Sequence, residues 1–360
     1  MMKQKTKTNV LLIQNTISRY RVPIYNMLSD KYDLTVMFSY GDIPKEIQFK
    51  TIRVKVTKVC KFTLYKENIF RIAKKYDVVL AMMDPFWIQL LIIAILPWKA
   101  YKYITWGIGV PASYSVRYDA YKRSFIMLKL MVKKSDAVIF YSDYPLHKYK
   151  KYGVPDNKMF VAHNTVRVSS QGQIMGIDKD IFLFIGSLYE AKGIGVLLTA
   201  YCNAKKKNEC IPDLYIIGDG KESSKIKKEV SHMGVSEQVH FTGAIYDEEE
   251  LRLFFARAII CISPHQAGLS VQKAMGYGVP FVTSEDAFTG GERFDINNNV
   301  TGVLYENDSD LENILVDAAY NKSKYIKMGD NAKEFYYKFR TIENMADGCF
   351  GAIEYVMENM

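Results

Sequence analysis

The sequence predicts an α/β protein made of two doubly wound domains facing across a cleft. Three observations carry that reading. Short apolar runs alternate with helix-period stretches along most of the chain, the alternation breaks once near the middle, and 360 residues suffice for two domains. Hydrophobic residues make up 49% and charged residues 24%, a mixture able to bury two cores.

In the first half, 10–13 and 34–38 read as strands with a helix at 20–31 between them. "DVVLAMM" (77–83) and "KAYKYITWG" (99–107) are further strands on either side of the apolar segment "FWIQLLIIAILPW" (86–98). A helix near 118–134, a strand at 136–142 and a strand at 159–165 complete the half. The polar stretch 166–180 lacks periodicity and reads as a linker. A second series follows, with strands at 181–187, 213–220, 238–244, 258–264 and 280–285. Its helices fall at 192–207, 221–233, 247–257 and 269–277, the last stopped by Gly278-Val279-Pro280. The tail from 323 reads as helical with a break near Gly348. The expected domains are 1–168 and 178–335, with a helix at 336–360 expected to pack back on the first domain.

The totals narrow the function. A formal charge of +9 favours acidic partners such as phosphate groups or anionic lipid, although lysine-rich solvated helix faces produce the same excess. No basic–aromatic pattern of a nucleic-acid module is present. The five scattered cysteines form no CxxC pair, so neither zinc site nor disulfide framework is indicated and a reducing cytoplasm is expected. The segment 86–98 is shorter than the roughly 20 residues that span a bilayer, and reads as a buried helix or a membrane-dipping face.

Ligands of open α/β sheets bind outside the strand carboxyl ends, so the loops after the strands hold the candidates. In "FIGSLYEAKGI" (184–194), Gly186 lets backbone approach a ligand, Ser187 lies beside it, and Lys192 adds a charge at a helix start. That suits a diphosphate; a plain βα loop with a solvent lysine has the same look. "IIGDG" places Gly218 as a pocket wall or merely a tight turn. In "HQAGLSVQKAMGYGVP" (265–280), Gly268 and Leu269 offer amides, Ser270 caps the helix or touches phosphate, and Lys273 lies one turn in. His265 precedes that turn as a cleft residue or an ordinary surface histidine. Glu292 is an acid of the next loop. In the first half, Arg19 and Arg21 stand ready for phosphate or an acidic acceptor, Trp106 for stacking or core packing, and Arg117 for a more distant acceptor contact. Asp308 and Asp310 have the spacing of a metal pair, but their place before a helix makes them caps, and no metal site is expected.

Together these segments resemble the retaining family-4 glycosyltransferases of the GT-B fold, including members that build bacterial surface polysaccharides. The resemblance rests on "FIGSLYEAKGI", "LYIIGDG", "VHFTGAI", "IICISP" and "GLSVQKAMGYGVPFVTS" in that order, and more loosely on "RYRVPIYNML" and "HNTV". It implies two Rossmann-like domains, a nucleotide-sugar donor and a saccharide or lipid-linked saccharide acceptor. The basic charge and the apolar segment 86–98 suggest a cytoplasmic enzyme working on the inner face of the membrane, and no cofactor or metal is expected if cationic side chains neutralise the diphosphate. Lys192, Gly268 and Leu269 would hold the donor diphosphate. The family's Glu-x7-Glu pair falls on His265 and Lys273, its phosphate-site arginine on Ser187, and its first-domain histidine on Ile108. Lys273 would then donate where a glutamate accepts, and Glu292 would restore an acid near the sugar. Two rivals share the fold: a non-catalytic partner subunit, which the lost acids favour, and a nucleotide-sugar epimerase.

Overall fold

The computed structural model describes residues 7–97, 99–112, 118–120, 124–169 and 176–359. It divides into two units. The first comprises 1–112, 118–164 and 342–360, the second 113–117 and 165–341.

The first unit is a parallel sheet of seven strands. They are β1 (Asn9–Ile13), β2 (Asp33–Phe38), β3 (Lys50–Arg53), β6 (Val78–Met82), β7 (Lys102–Gly107), β8 (Ala137–Phe140) and β9 (Met159–Val161), in the order β3-β2-β1-β6-β7-β8-β9. An antiparallel hairpin, β4 (Val56–Val59) and β5 (Phe62–Tyr65), stands apart from it. The two-residue alternation of β1 divides the core. Val10 and Leu12 pack with α1 (Val22–Lys31), while Leu11 and Ile13 pack with α2 (Ile69–Ala73) and α3 (Ile88–Ile95). α4 (Ser124–Lys134) and α5 (Tyr144–Lys151) complete this part of the chain.

The second unit repeats the plan with β10 (Ile181–Ile185), β11 (Asp213–Ile217), β12 (Val239–Gly243), β13 (Ala258–Ile262), β15 (Phe281–Ser284) and β17 (Gly302–Tyr305). Their order is β12-β11-β10-β13-β15-β17, and short strands β14 (Gln266–Ala267) and β16 (Phe288–Thr289) pair separately. Phe182 and Phe184 of β10 face α6 (Ile194–Lys207), α7 (Ser223–Met233) and α10 (Asp310–Tyr320). Ile181 and Leu183 face α8 (Glu248–Arg257), α9 (Leu269–Gly276) and α11 (Lys322–Phe339). Both sheets are therefore wound on both faces, and each changes winding direction once: between β1 and β6, and between β10 and β13.

Two local expectations are corrected. The C-terminal helices break at Arg340 and Thr341, before α12 (Ile342–Glu358), and not at Gly348. Gly348 lies inside α12, where an added Cβ would stand 2.2 Å from the Val161 carbonyl oxygen, so the glycine permits close packing of helix on strand. The apolar segment around Ile88–Ile95 buries Leu90, Leu91, Ile93 and Ala94 in the first core. Among the described residues no helix is long and apolar enough to cross a membrane.

Candidate functional site

The carboxyl ends of β10 and β13, at the reversal point of the second sheet, carry most of the residues that the sequence singles out. After β10 the chain passes Gly186 and Ser187, makes a 3-10 turn at Glu190–Lys192, and enters α6 through Gly193. Gly193 is left-handed at φ 71°, and an added Cβ would lie 2.7 Å from the His265 ring. After β13 the chain supplies His265, β14, and Gly268 as N-cap of α9.

The two loops are tied together. The His265 amide donates to the Lys192 carbonyl at 3.2 Å. The Tyr189 hydroxyl donates to Gln266 Oε1 at 2.5 Å. Behind them Gly218 closes on Gly186: at φ 151°, a Cβ on Gly218 would meet the Gly186 carbonyl oxygen at 1.9 Å. A side chain at 218 is incompatible with this backbone contact, so the glycine is required by position as well as by φ. Gly220 is constrained by position alone: a Cβ there would meet the Leu188 carbonyl oxygen at 2.2 Å.

Lys192 is the unusual group. Its side chain is only 7% exposed, and among the described residues its ammonium has neither hydrogen-bond acceptor nor carboxylate. The Tyr189 ring lies 5.8 Å away and a Cβ on Gly186 would be 3.0 Å from Nζ. The nearby Cys261 thiol brings no counter-charge, because burial holds its pKa up at about 12 against the pull of Lys192. Burial correspondingly lowers Lys192 to about 8. A desolvated cation without a partner is costly to hold, and an entering anion relieves that cost. The first amides of α9, which follows one of these two loops, lack intrahelical acceptors by helix geometry.

The other candidates divide. Ser187 is exposed beside Gly186. Leu269 opens α9. Ser270 makes no cap bond: its hydroxyl is buried without a hydrogen-bond partner, and the N-cap is Gly268. His265 Nε2 lies 3.1 Å from both carboxylate oxygens of Asp308. This corrects the expectation that Asp308 caps a helix. Nor does Asp310 cap it: the N-cap of α10 is Ser309, without a side-chain cap bond, and Asp310, the first residue of the helix, accepts from the Asn307 amide at 3.1 Å.

Lys273 and Glu292 are committed inside the unit. Lys273 is 8% exposed and donates to Glu248 Oε1 at 2.5 Å and to the Arg167 carbonyl at 3.1 Å. Glu292 is 3% exposed, and its Oε2 accepts from the Gly290 amide at 2.8 Å and the Thr289 hydroxyl at 3.2 Å. Their spacing in sequence put them near the ligand turn. The side chains are spent on bracing α9 against α8 and on shaping the loop after β16. Neighbouring Glu190, Glu222 and Glu229 outnumber Lys225 around a cavity of about 300 Å³ beside α6, which makes that cavity a poor place for an anion.

In the first unit, Arg21 is 5% exposed and donates to Asn164 Oδ1 at 2.7 Å. Its guanidinium lies 5.0 Å from the Trp106 ring and 4.9 Å from the Tyr141 ring. Trp106 is itself buried, with an indole N–H that has no hydrogen-bond partner. Arg19 is exposed on the turn before α1. Arg117 lies outside the described residues. Among the described residues no group of three or more His, Cys, Asp or Glu is placed to hold a metal ion.

Asp308, Tyr189 and Gln266 are the participants that local reading missed. Tyr189 and Gln266 sit inside recognised segments but carry no pattern of their own. Asp308 is 43 residues from His265, and nothing in the sequence signals that pairing.

Residues 172–335 match the family model for glycosyl transferases group 1. No curated protein matches the chain in sequence. Solved structures resemble it over nearly its whole length. HepE of Anabaena, in complex with UDP, is 14% identical, with a TM-score of 0.73 over 98% of this chain and all of that one. The pneumococcal O-GlcNAc transferase GtfA, in complex with UDP and GlcNAc, is 11% identical, with a TM-score of 0.72 over 98% and 99%. A TarM mutant of S. aureus, in complex with fondaparinux, alpha-GlcNAc-glycerol and UDP, is 11% identical, with a TM-score of 0.70 over 96% and 99%. At these identities the likeness establishes the fold: parallel α/β sheets in two Rossmann-like units of the GT-B kind.

Proposed function

We propose that the protein is a glycosyltransferase that moves a sugar from a nucleoside-diphosphate donor to a saccharide or lipid-linked saccharide, with retention of configuration, in the synthesis of a bacterial surface polysaccharide. The observation that carries the reading is Lys192: a buried ammonium without a counter-charge among the described residues, on one of the two loops where the second sheet changes direction. The match of 172–335 to group 1 glycosyl transferases and the UDP bound to the structural neighbours support a nucleotide donor, with UDP as the first to test.

In this reading the donor diphosphate replaces Lys192's missing partner and caps the amides of Gly268 and Leu269. Negative charge grows on the diphosphate as the anomeric C–O bond breaks. A fixed cation and fixed amides stabilise that charge without reorganising at the moment of reaction. Retention follows if the leaving phosphate oxygen takes the acceptor proton on the face it departs from. The side chain and amides neutralise the diphosphate, so the proposal needs no metal. Gly186, Ser187 and Gly218 line the approach to the diphosphate, and His265 faces the sugar with its ring oriented by Asp308. Lys273 and Glu292 act through the shape of the two loops, since their own charges are already bonded. Arg19, exposed on the first unit, belongs to the acceptor side, whereas Trp106 at 1% exposure is a core residue that cannot stack on a sugar, and Arg21 is buried and bonded within the same unit.

Calorimetric titration with UDP and UDP-glucose, followed by UDP release in the presence of saccharide acceptors, tests the proposal. Saturable UDP binding is expected. No binding would overturn the transferase reading; binding without release for any donor and acceptor would favour the non-catalytic partner, to which the bonded Lys273 and Glu292 lend support.

Peripheral membrane contact is part of the same proposal, now on α4. Ile126 is 68% and Leu130 40% exposed there, with Lys133 and Lys134 exposed at the helix end. An apolar face beside cations suits an anionic bilayer. Flotation with phosphatidylglycerol vesicles at low salt should carry the wild type upward and leave Ile126→Asp at the bottom.

A further inference from the structure

The reversal point of the first sheet, between β1 and β6, carries a second cluster that the proposed donor chemistry does not use. β6 ends at Met82, and the chain turns at Asp84. The carboxyl group of Asp84 accepts from the Phe86 amide through Oδ1 at 2.9 Å, while Oδ2 has no partner among the described residues. Asp84 makes no ion pair with a described lysine or arginine, and burial raises its pKa above the ordinary carboxylate value.

Aromatic rings surround this turn. The Trp87 ring is 5.0 Å from Tyr65 and 6.3 Å, edge to face, from Tyr40. Trp87 and Tyr65 are buried at 6% and 5%, whereas Tyr40 is 41% exposed. Tyr40 is held in place from the β1 side, its amide donating to the Asn15 carbonyl at 2.9 Å. The Tyr65 hydroxyl lies within electrostatic reach of Asp84 and Tyr40, yet has no hydrogen-bond partner. The Ser39 hydroxyl next to Tyr40 is also without one. Asp84 Oδ2 is open to solvent and the Tyr40 ring is half exposed, at the reversal point of the sheet where open α/β folds take their ligands.

We infer that Asp84 and Tyr40 form a saccharide-binding subsite at the carboxyl edge of the first sheet. The carboxylate accepts from sugar hydroxyls and the Tyr40 ring takes the apolar C–H face of the sugar, with buried Trp87 and Tyr65 packed behind it. A negative ligand is disfavoured by Asp84, and the aromatic surface favours a neutral sugar ring over a small ion. As the acceptor subsite, this assignment rests on the transferase reading; as a sugar-binding site it does not.

Saturation-transfer NMR on the full-length protein separates the two. The probes are the methyl glycosides of glucose, galactose and N-acetylglucosamine, each at millimolar concentration, with UDP as the second ligand. Ring-proton signals are expected for at least one glycoside with the wild type. They should fall at least fivefold in Asp84→Asn and in Tyr40→Ala, while UDP signals stay unchanged in both. No signal from any glycoside with the wild type, or undiminished signals in both variants, overturns the subsite. Glycoside binding that needs Asp84 in a protein that ignores UDP would keep the subsite and overturn the transferase.

Discussion

Lys192 and Lys273 are both buried lysines of the second unit, 7% and 8% exposed, the first just before α6 and the second in the last turn of α9. Lys273 has a carboxylate and a carbonyl, Lys192 has neither among the described residues. Burial lowers the pKa of both, and for Lys273 the bond to Glu248 works against that fall. Equal burial with unequal pairing separates two jobs. A paired buried cation fastens elements together; an unpaired one stores a demand for an anion. The largest expected effect breaks or sustains this distinction directly. Lys192→Met should cost about 10²–10³ in UDP-sugar turnover, the scale of losing one fixed donor to developing charge. Lys273→Met should change UDP affinity less than about threefold. If calorimetry and turnover showed the reverse ranking, the roles of the two lysines would have to be exchanged.

Stability should move in the opposite sense from activity. Lys192 has a folded pKa of about 8, below the unfolded value, so between those values the unfolded chain binds the extra proton. Its contribution therefore makes the protein more stable as pH rises from about 8 towards 10.5, and less stable below, where the buried group must carry its charge. Lys192→Met should raise unfolding free energy at pH 7 by about 1–3 kcal/mol, and flatten that part of the pH profile, in urea denaturation monitored by far-UV circular dichroism. Diphosphate binding stabilises the charged ammonium, so UDP should bind with proton uptake at pH 8–9. Calorimetry in two buffers of different ionisation enthalpy measures that uptake, and Lys192→Met should abolish it.

Glu248→Gln probes the other lysine. It removes the counter-charge of the Lys273 ammonium and leaves it one amide oxygen and the Arg167 carbonyl as acceptors. Removing one member of a fully buried pair costs several kcal/mol, but the Glu248 side chain is 42% exposed and solvent screens part of the loss. A decrease of about 1–2 kcal/mol in urea denaturation is expected, with UDP affinity unchanged. A variant as stable as the wild type would remove Glu248 as the reason Lys273 tolerates burial.

Much of the scaffold was legible because period-2 and period-3.6 patterns are local. The runs at β10, β11, β12 and β13 and the helices between them lie within a few residues of their expected limits. Residues 40–76 were not read at all. β3 and β4 expose half or more of their residues, and the hairpin that includes β5 stands on the margin, so the apolar alternation that marks a strand is weak there. The α12 break was misplaced for the opposite reason: a glycine that normally ends a helix is kept at 348 by a distant contact with Val161. The site was half legible. Glycines and a lysine after strands announce a ligand turn, so Gly186, Gly218, Lys192 and Gly268 could be named from local order. The state of each side chain depends on partners far along the chain. Glu248 for Lys273, Asp308 for His265 and the absent partner of Lys192 leave no trace in the segments themselves.

The smallest expected effect concerns His265, which sharpens the lysine comparison because it shares a loop contact with one of them. The His265 amide is fixed to the Lys192 carbonyl, so the ring's position is already partly set by backbone. Asp308 adds orientation through Nε2, but the histidine and aspartate side chains are 40% and 47% exposed, and solvent weakens the pair. Asp308→Asn keeps the shape and one acceptor oxygen. It should leave UDP affinity and unfolding free energy within experimental error and lower turnover of the sugar donor by about three- to tenfold, through looser placement of the ring. Free UDP and the UDP-sugar therefore report different things. A loss in both would mean that Asp308 supports the diphosphate loop as a whole, and that the His265 contact cannot be separated from the anion site built around Lys192.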